Sequence, residues 1–268
     1  MCSNVSKMII YNYNFLIMRN LRFLISSIIM LAFAANAETF RIPVGEFSEL
    51  VVNDDIDVVY SANPDSLGLV VFNIPNEYAH FILTDCNKGR LKIEVSSDAV
   101  GIKMPTVYVY SSFISRVENN KNGKITVADV KPTAKFTAEL QGNGSISLNG
   151  LEATTVDLRI ITGKGSISAS GSCSSLNIKN IGAGTILADE LVAKGVRCNV
   201  TGTGSVSCHA VQTLSISGVG SGKLSYKGNP IITKGKLVKV KLIPIAETIV
   251  TEEPDDNSGN NDRTPVNF

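Results

Sequence analysis

Three side chains, Asp157, Arg159 and Lys179, have the types that acid–base chemistry on a polysaccharide would use. Such chemistry needs an acid and a base, or two carboxylates, that converge on one substrate. Asp157 and Arg159 are two residues apart, the spacing of one strand face, but the set contains a single carboxylate. We therefore expect a non-enzymatic protein, with a polysaccharide lyase or hydrolase as the alternative.

An acidic cluster of Asp54, Asp55 and Asp57 is the second candidate site. The spacing predicts Asp55 and Asp57 on one strand face, as a carboxylate pair or a loose calcium site. A turn at Asn53-Asp54 followed by a solvated edge explains the cluster better, because no further ligands or basic partner are spaced nearby. The chain has two histidines, His80 and His209, too few for a multi-histidine metal site. We expect no catalytic residue, no metal site and no cofactor.

Gly163-Lys164-Gly165 looks superficially like a phosphate-binding loop. A dinucleotide loop needs a third glycine that opens a helix, and a P-loop needs G-x-x-x-x-G-K-[ST], so neither motif is present. A calcium-binding β-roll would place Asp two residues after the second glycine of its repeat, where this sequence has Ile167. The motif is better interpreted as a chain corner.

The same Gly-x-Gly motif returns about every 20 residues. A worn copy precedes it at Asn122–Thr126, and the five clear copies have the glycine pairs Gly142 and Gly144, Gly163 and Gly165, Gly182 and Gly184, Gly202 and Gly204, and Gly220 and Gly222. Apolar and polar residues alternate on both sides of each pair, which is the pattern of strands. Before Gly163 the apolar phase shifts by one residue, which predicts a bulge or a longer turn.

These repeats predict an all-β fold, a parallel β-helix with about 20 residues per coil. An antiparallel sandwich is the alternative, but it would not need one corner type at such regular spacing. Residues 38–118 form a β-rich N-terminal section, residues 119–248 the coils, and residues 249–268 a disordered acidic tail. Near the end of the coils, four lysines blunt the last edge strand: Lys234, Lys236, Lys239 and Lys241.

Residues 1–37 have the pattern of a secretory signal peptide. An apolar run, Phe23–Phe33, follows two arginines and leads into Ala35-Asn36-Ala37, which predicts cleavage between Ala37 and Glu38. Residues 1–17 are interpreted as an upstream extension before Met18, and an uncleaved anchor is the alternative. We expect a protein of the periplasm, the outer-membrane surface or the extracellular space.

Four cysteines remain after the leader: Cys86, Cys173, Cys198 and Cys208. Cys198 and Cys208 fall on apolar positions of the repeat, so buried free thiols are expected, with one disulfide as the alternative. The 25 basic and 24 acidic residues give no reason to expect a nucleic acid as partner. The outward faces, rich in Ser, Thr, Asn and Lys, suit a glycan or a surface protein. Tyr108 and Tyr110 offer one small aromatic platform.

Three features in a fixed order resemble one known family: Ile56–Val59, the repeated G-x-G-S-I, and Leu224–Pro230. The sequence is similar to the "putative auto-transporter adhesin, head GIN domain" proteins of Bacteroidetes from about Phe40 to about Lys241. The resemblance implies a right-handed parallel β-helix shaped like pectin lyases but without their catalytic residues, a role in cell adhesion, and homo-oligomers. It supplies no functional residues to carry over. We expect an exported adhesion or surface-interaction module, with a purely structural periplasmic protein as a further alternative.

Overall fold

The computed structural model describes residues 37–128, 130–235 and 239–245. The predicted signal peptide before Ala37, the predicted tail 249–268 and Lys236 lie outside the described residues. Ala37 and Glu38, on either side of the predicted cleavage point, both lie in the first strand.

The described residues are nearly all β, with about 4% of them helical. Two short 3-10 turns occur, at Pro64–Ser66 and Asn76–Phe81. The strands are β1 (Ala37–Pro43), β2 (Glu49–Val52), β3 (Val58–Ser61), β4 (Leu69–Pro75), β5 (Ile82–Asn87), β6 (Arg90–Val95), β7 (Val107–Tyr110), β8 (Arg116–Asn119), β9 (Lys124–Val127), β10 (Thr133–Gln141), β11 (Ser145–Thr162), β12 (Ser166–Gly182), β13 (Thr185–Gly202), β14 (Ser205–Ser217), β15 (Lys223–Lys227), β16 (Ile231–Lys234) and β17 (Lys241–Pro244).

The long strands β10 to β14 stack as successive coils of a parallel β-solenoid. Each pairs in parallel with the next, and the bridges join residues about 20 apart through about six turns. Ile146 pairs with Ile167, which pairs with Ile186, so equivalent residues of the repeat lie in one column. The predicted all-β fold and the predicted length of its coils are both confirmed.

The predicted phase shift before Gly163 is also confirmed as a bulge. Leu140 of β10 pairs with Ile160 of β11, but the next residue, Gln141, pairs with Thr162. Ile161 is therefore the extra residue. Ile160 precedes the bulge and pairs with Asn180 in the next coil, so the inward column up to that residue is not displaced.

The core lies between the walls of the solenoid and is lined by stacked aliphatic residues. Ile146, Ile167 and Ile186 line one wall, and Leu158 and Ile178 belong to another; all are at most 2% exposed. A single coil could not cover these side chains, whereas stacking gives each about 1.5–3 kcal/mol of burial energy.

The N-terminal section supplies both a first coil and a cap. β2 pairs in parallel with β8, and β3 with β9, although Val52 lies far from its partner Asn119 in the sequence. The intervening chain adds β6 and β7 below them, and the antiparallel strands β1, β4 and β5 complete this end. The predicted boundary between residues 118 and 119 falls inside β8, where the sheet is continuous.

Candidate interaction surface

The paired glycines of the repeat stand at one corner of the coils. The first glycine of each clear pair has a positive φ, for example 94° at Gly163 and 110° at Gly182. This is the left-handed region that favours glycine. A Cβ on a second glycine would approach the backbone of the coil below, at 2.5 Å from the Gly144 oxygen for Gly165 and 2.9 Å from the Gly165 oxygen for Gly184. The second glycines therefore form one column in which coils touch without side chains.

The acidic cluster lies at the same corner of the first coil and has a structural role. Asp54 accepts from the backbone N–H of Val95 at 2.9 Å. Asp55 accepts from the N–H of Asn122 at 2.9 Å. Asp57 accepts from the N–H of Lys124 at 2.8 Å.

The prediction that Asp55 and Asp57 share a strand face is wrong. The run from Leu50 to Tyr60 is broken at residues 53–57, which turn the chain between β2 and β3. Period-two alternation continues through the corner because Ile56 points into the core, where it is 1% exposed. Alternation alone therefore could not reveal the break.

The histidines and cysteines are dispersed. His80 is exposed against the Phe81 ring, at 4.1 Å between centroids, and His209 is half-buried on β14. Among the described residues, no three His, Cys, Asp or Glu side chains are grouped as a metal site would require. The four cysteines described are free, and burial raises the pKa of Cys173 to about 11, which leaves an inert thiol.

Asp157 and Arg159 point outward from the last part of β11 and belong to an ion-pair network. The Asp157 carboxylate lies 3.1 Å from the Lys135 ammonium and 3.1 Å from the Arg159 guanidinium, and it accepts from the Asn177 amide at 2.8 Å. Burial alone would raise the pKa of Asp157, but these hydrogen bonds and charges hold it below its ordinary value. The Asp157 side chain is thus held as a carboxylate by its ion-pair partners and is a poor proton donor.

The network extends toward the N-terminal coils. Arg116 lies 3.0 Å from Glu118 and 3.4 Å from Glu139, and Arg159 lies 4.0 Å from the same Glu139. Lys179 follows Arg159 in register but makes no ion pair with a described residue. We call these outward side chains of β8, β10 and the last part of β11 the charged face. Its charges are mostly neutralised within the protein.

A second outward surface follows the Gly-x-Gly corners and presents hydroxyl groups. We call it the hydroxyl face, and its hydroxyl-bearing side chains are Thr126, Ser145, Ser147, Ser166, Ser168, Thr185, Ser205, Ser207 and Ser225. Strand register places them in two columns with a step of about 4.8 Å. Ser147 and Ser168 are 3.3 Å apart, and Thr185 and Ser205 are 3.1 Å apart.

Two exposed apolar side chains interrupt the hydroxyl face. Leu187 lies between Ser168 and Ser207 in register and is 48% exposed. Tyr108 lies in the N-terminal part of the same column, two strands beyond Thr126, and is 44% exposed. Five strand steps separate Tyr108 from Leu187, a distance of about 24 Å.

The hydroxyl face has spare hydrogen-bonding capacity. Each hydroxyl has one donor and two acceptor positions, and one bond to a neighbour leaves the others available. An aromatic ring at the end of such a ladder adds a surface on which a sugar ring can stack. The repeat predicted outward serines and threonines, but neither the shared column of Tyr108 and Leu187 nor the ion pairs of the charged face. Both depend on register between residues far apart in the chain.

No helix in the described ranges has the length and apolar character needed to cross a membrane. A family model described as "Putative auto-transporter adhesin, head GIN domain" matches residues 46–230. Among curated proteins, no significant sequence match is found.

Solved structures similar to this chain come from Bacteroidetes. A "putative adhesin" from Bacteroides fragilis has a TM-score of 0.70 at 19% identity, over 78% of this chain and 95% of its own. A "putative adhesin" from Parabacteroides distasonis has a TM-score of 0.65 at 20% identity, over 78% and 97%. A "putative lipid binding protein" from the same species has 0.60 at 20% identity, over 79% and 98%. At these identities the likeness shows the fold alone.

Proposed function

The chain belongs to the "Putative auto-transporter adhesin, head GIN domain" family, and from this premise we propose that it is an exported, non-enzymatic adhesion module of the cell envelope. Its long sheet faces act as the contact surface. The match covers residues 46–230, which is most of the solenoid, so the proposal concerns the whole described domain and not an appended segment.

The hydroxyl face, with Tyr108 and Leu187 exposed in its column, carries this proposal. The charged face is less suited to a ligand, because Arg159 already pairs with Asp157 on its own strand and with Glu139 on the neighbouring coil. A ligand there would first have to replace those ion pairs. On the hydroxyl face, a ligand would compete with bonds between neutral hydroxyls, as from Ser168 to Ser147, except at Ser207, which donates to the Asp189 carboxylate at 2.6 Å.

We propose a glycan as the ligand class. Sugar hydroxyls both donate and accept, as do the hydroxyls of Ser145, Ser147 and Ser168. A sugar ring stacks on an exposed aromatic such as Tyr108, and Leu187 gives a second apolar contact on the same line. A repeated step of about 4.8 Å suits a polymer that makes the same contact several times.

Binding to a glycan array and to intact cells tests the proposal. Tyr108→Ala combined with Leu187→Ala should lower binding at least tenfold, because both exposed apolar contacts are lost. Leu83→Ala combined with Val211→Ala is the matched control, since these side chains are 47% exposed elsewhere. Binding that survives the first variant, or is lost equally in the control, would refute the assignment of this face. A chain that binds no glycan or cell would favour a purely structural role.

Two further measurements test the remaining parts of the proposal. Turnover of pectin-like polymers that Asp157→Asn abolishes would show an enzyme instead. Envelope fractionation and the intact mass of the recovered protein test export, and the proposal expects a chain that begins at Glu38.

A further inference from the structure

Lysines replace the hydroxyl groups at both ends of one column of the hydroxyl face. This column runs in register through β9, β11, β12, β13, β14, β15 and β17, and its residues are Lys124, Ser145, Ser166, Thr185, Ser205, Lys223 and Lys241. The last clear copy of the repeat thus has Lys223 where the four earlier copies have serine or threonine. The neutral middle of the column is flanked by cations.

Two ammonium groups are adjacent at the C-terminal end of this column. Lys223 pairs in register with Lys241, one strand step of about 4.8 Å away, and both side chains are exposed. Neither makes an ion pair with a described residue. Like charges directly opposite each other on neighbouring strands destabilise a sheet. An anion bound between the two lysines would relieve this repulsion.

Protection of a strand edge explains only one of the two lysines. β17 pairs with β15 and, among the residues that the structure describes, with no strand beyond it, so Lys241 can blunt this edge. β15 pairs with β14 on one side and with β17 on the other, and a strand with two partners has no free edge to protect. Lys223 therefore needs another explanation, and a bound anion supplies one.

Acidic side chains along the hydroxyl face already have partners. Asp57 accepts from the backbone N–H of Lys124 at 2.8 Å. The Lys227 ammonium lies 3.2 Å from Asp189 and 2.6 Å from Glu190. After Glu190, the sequence has no further acidic residue up to position 245. The C-terminal part of the face thus has positive charge to offer to a ligand.

We propose that the glycan bound by the hydroxyl face is anionic, with a carboxylate or sulfate group held between Lys223 and Lys241. The lysine pair begins two strand steps, about 10 Å, beyond Leu187 on the same face. Ser205 precedes Lys223 in register and offers a hydroxyl to the same group. An acidic polysaccharide can therefore stack on Tyr108, contact Leu187 and pair with the lysines at once. Such a ligand is a special case of the glycan proposed above, so it depends on that function.

Binding to polymers that differ mainly in charge tests the ligand class. The probes are polygalacturonate with its methyl ester, for carboxylate groups, and dextran sulfate with dextran, for sulfate groups. In low salt, at least one charged polymer should bind about tenfold more tightly than its neutral counterpart. About 1 M salt should remove most of this difference, because it screens charges at the surface. The pair that shows the preference identifies the acidic group, and equal binding within both pairs would overturn the anionic ligand.

Neutral variants locate the charge contact. Lys223→Gln combined with Lys241→Gln should lower binding of the preferred charged polymer about tenfold and leave binding of its neutral counterpart unchanged. The matched control, Lys179→Gln with Lys194→Gln, removes the same charge from exposed lysines outside the hydroxyl face that make no ion pair with a described residue. The control should bind both polymers as the wild type does. Equal losses in the two variants would show nonspecific attraction and would overturn the site.

Two further outcomes distinguish a neutral glycan from no glycan at all. If Tyr108→Ala with Leu187→Ala abolishes binding while Lys223→Gln with Lys241→Gln leaves it unchanged, the ligand is a neutral glycan and only its anionic character is refuted. If no glycan of the array and no polymer binds, the glycan function itself is refuted.

Urea unfolding without ligand tests whether the lysine pair serves the fold instead. Lys223→Gln with Lys241→Gln should be at least as stable as the wild type, because the repulsion between the two ammonium groups is removed. A less stable variant would show that the two lysines have a structural role, and this result would overturn the anion site.

Discussion

The side-chain amide of Asn180 donates to the carbonyl oxygen of Gly184 at 2.8 Å and to that of Ser205, in the next coil, at 3.2 Å. Asn180 is fully buried in a column between Ile160 and Val200. Asn119 makes the same bonds to Gly123 and Ser145 in the first coils. The side-chain amide of each asparagine thus links a glycine corner to the core by hydrogen bonds.

Asn180→Asp should therefore be far more damaging than its nearly identical shape suggests. It places a carboxylate against two carbonyl oxygens in a buried site, and we expect a loss of about 3 kcal/mol in the free energy of unfolding at neutral pH. Part of this loss should be recovered in acid, because a protonated carboxyl can donate. Urea unfolding measures the effect, with the exposed Asn199→Asp as control. Equal losses in both variants would contradict the role of the buried amide.

Corner glycines separate two physical effects, backbone strain and close approach of coils. Gly163 shows both effects, with φ of 94° and the backbone of Gly142 at the place where its Cβ would lie. Gly165 shows only the close approach to the backbone of the neighbouring coil. Gly150 shows only the strain, with φ of 67° and nothing within 4 Å of its Cβ position. We expect the Ala variants to lose stability in that order. Gly150→Ala should cost about 1–2 kcal/mol, from strain alone, and Gly163→Ala more than about 3 kcal/mol.

Urea unfolding of the three glycine variants checks the order. If the coils stack closely at the second glycines, Gly165→Ala should be destabilised although the backbone of Gly165 has an ordinary conformation. If Gly165→Ala were as stable as the wild type, the coils would have room to separate, and the column of second glycines would not be a packing requirement.

The fold was predictable from the sequence because the same sequence motif recurs in each coil of the solenoid. Each coil shows its Gly-x-Gly corner and its alternation within its own length, so local pattern and global stacking coincide. The first coil was harder, because Val52 and its partner Asn119 lie far apart in the sequence and no repeat links them. Even the shift at Ile161 was visible, because a bulge changes which residues are apolar.

The candidate surface was less predictable than the fold. Outward serines follow from alternation, but the position of Tyr108 in the column of Ser147 and Leu187 requires the pairing of β7 with β3, which local pattern does not encode. Asp55 and Asp57 were misplaced for a related reason, since their corner uses Ile56 where later coils use glycine. Side-chain bonds to the next coil, such as Asp57 to Lys124, have no signal in the local sequence.

The buried thiols should make stability depend on alkaline pH. Burial raises the pKa of Cys208 to about 12, with a smaller effect of the Asp189 charge, whereas an unfolded thiol titrates near 9. The raised pKa contributes stability that is complete below pH 9 and is lost as the pH rises toward 12. At pH 10.5, Cys208 alone should account for about 2 kcal/mol of the loss.

Urea unfolding at pH 7 and 10.5 measures this dependence, as the difference between the wild type and Cys208→Ala. The half-buried Cys86→Ala serves as control and should change the pH dependence much less. At pH 8, the native protein should also resist alkylation at Cys173, Cys198 and Cys208 while Cys86 reacts. Rapid alkylation of all four would show that the coils open readily.

The ion-paired Asp157 should make stability depend on acidic pH, and this dependence tests whether Asp157 has a structural or a functional role. The hydrogen bonds and charges of Asn177, Lys135 and Arg159 outweigh burial and lower its pKa in the folded state. A lowered pKa contributes stability above the unfolded value, near 4, and that stability disappears as the pH falls through the folded value. Asp157→Asn should therefore cost about 2 kcal/mol at pH 7, and the difference from the wild type should shrink as the pH falls below about 4.

The exposed Asp65→Asn, as control, should change stability by less than about 0.5 kcal/mol at either pH. Thermal or urea unfolding at several pH values distinguishes the two carboxylates. If the role of Asp157 is structural, Asp157→Asn should lower the stability of the fold. Glycan binding by the folded variant at pH 7 should stay unchanged, because the charged face and the hydroxyl face are separate. If Asp157→Asn left stability intact and instead altered binding or turnover, the charged face would be the functional surface, and the ion pairs would hold a ligand site in place.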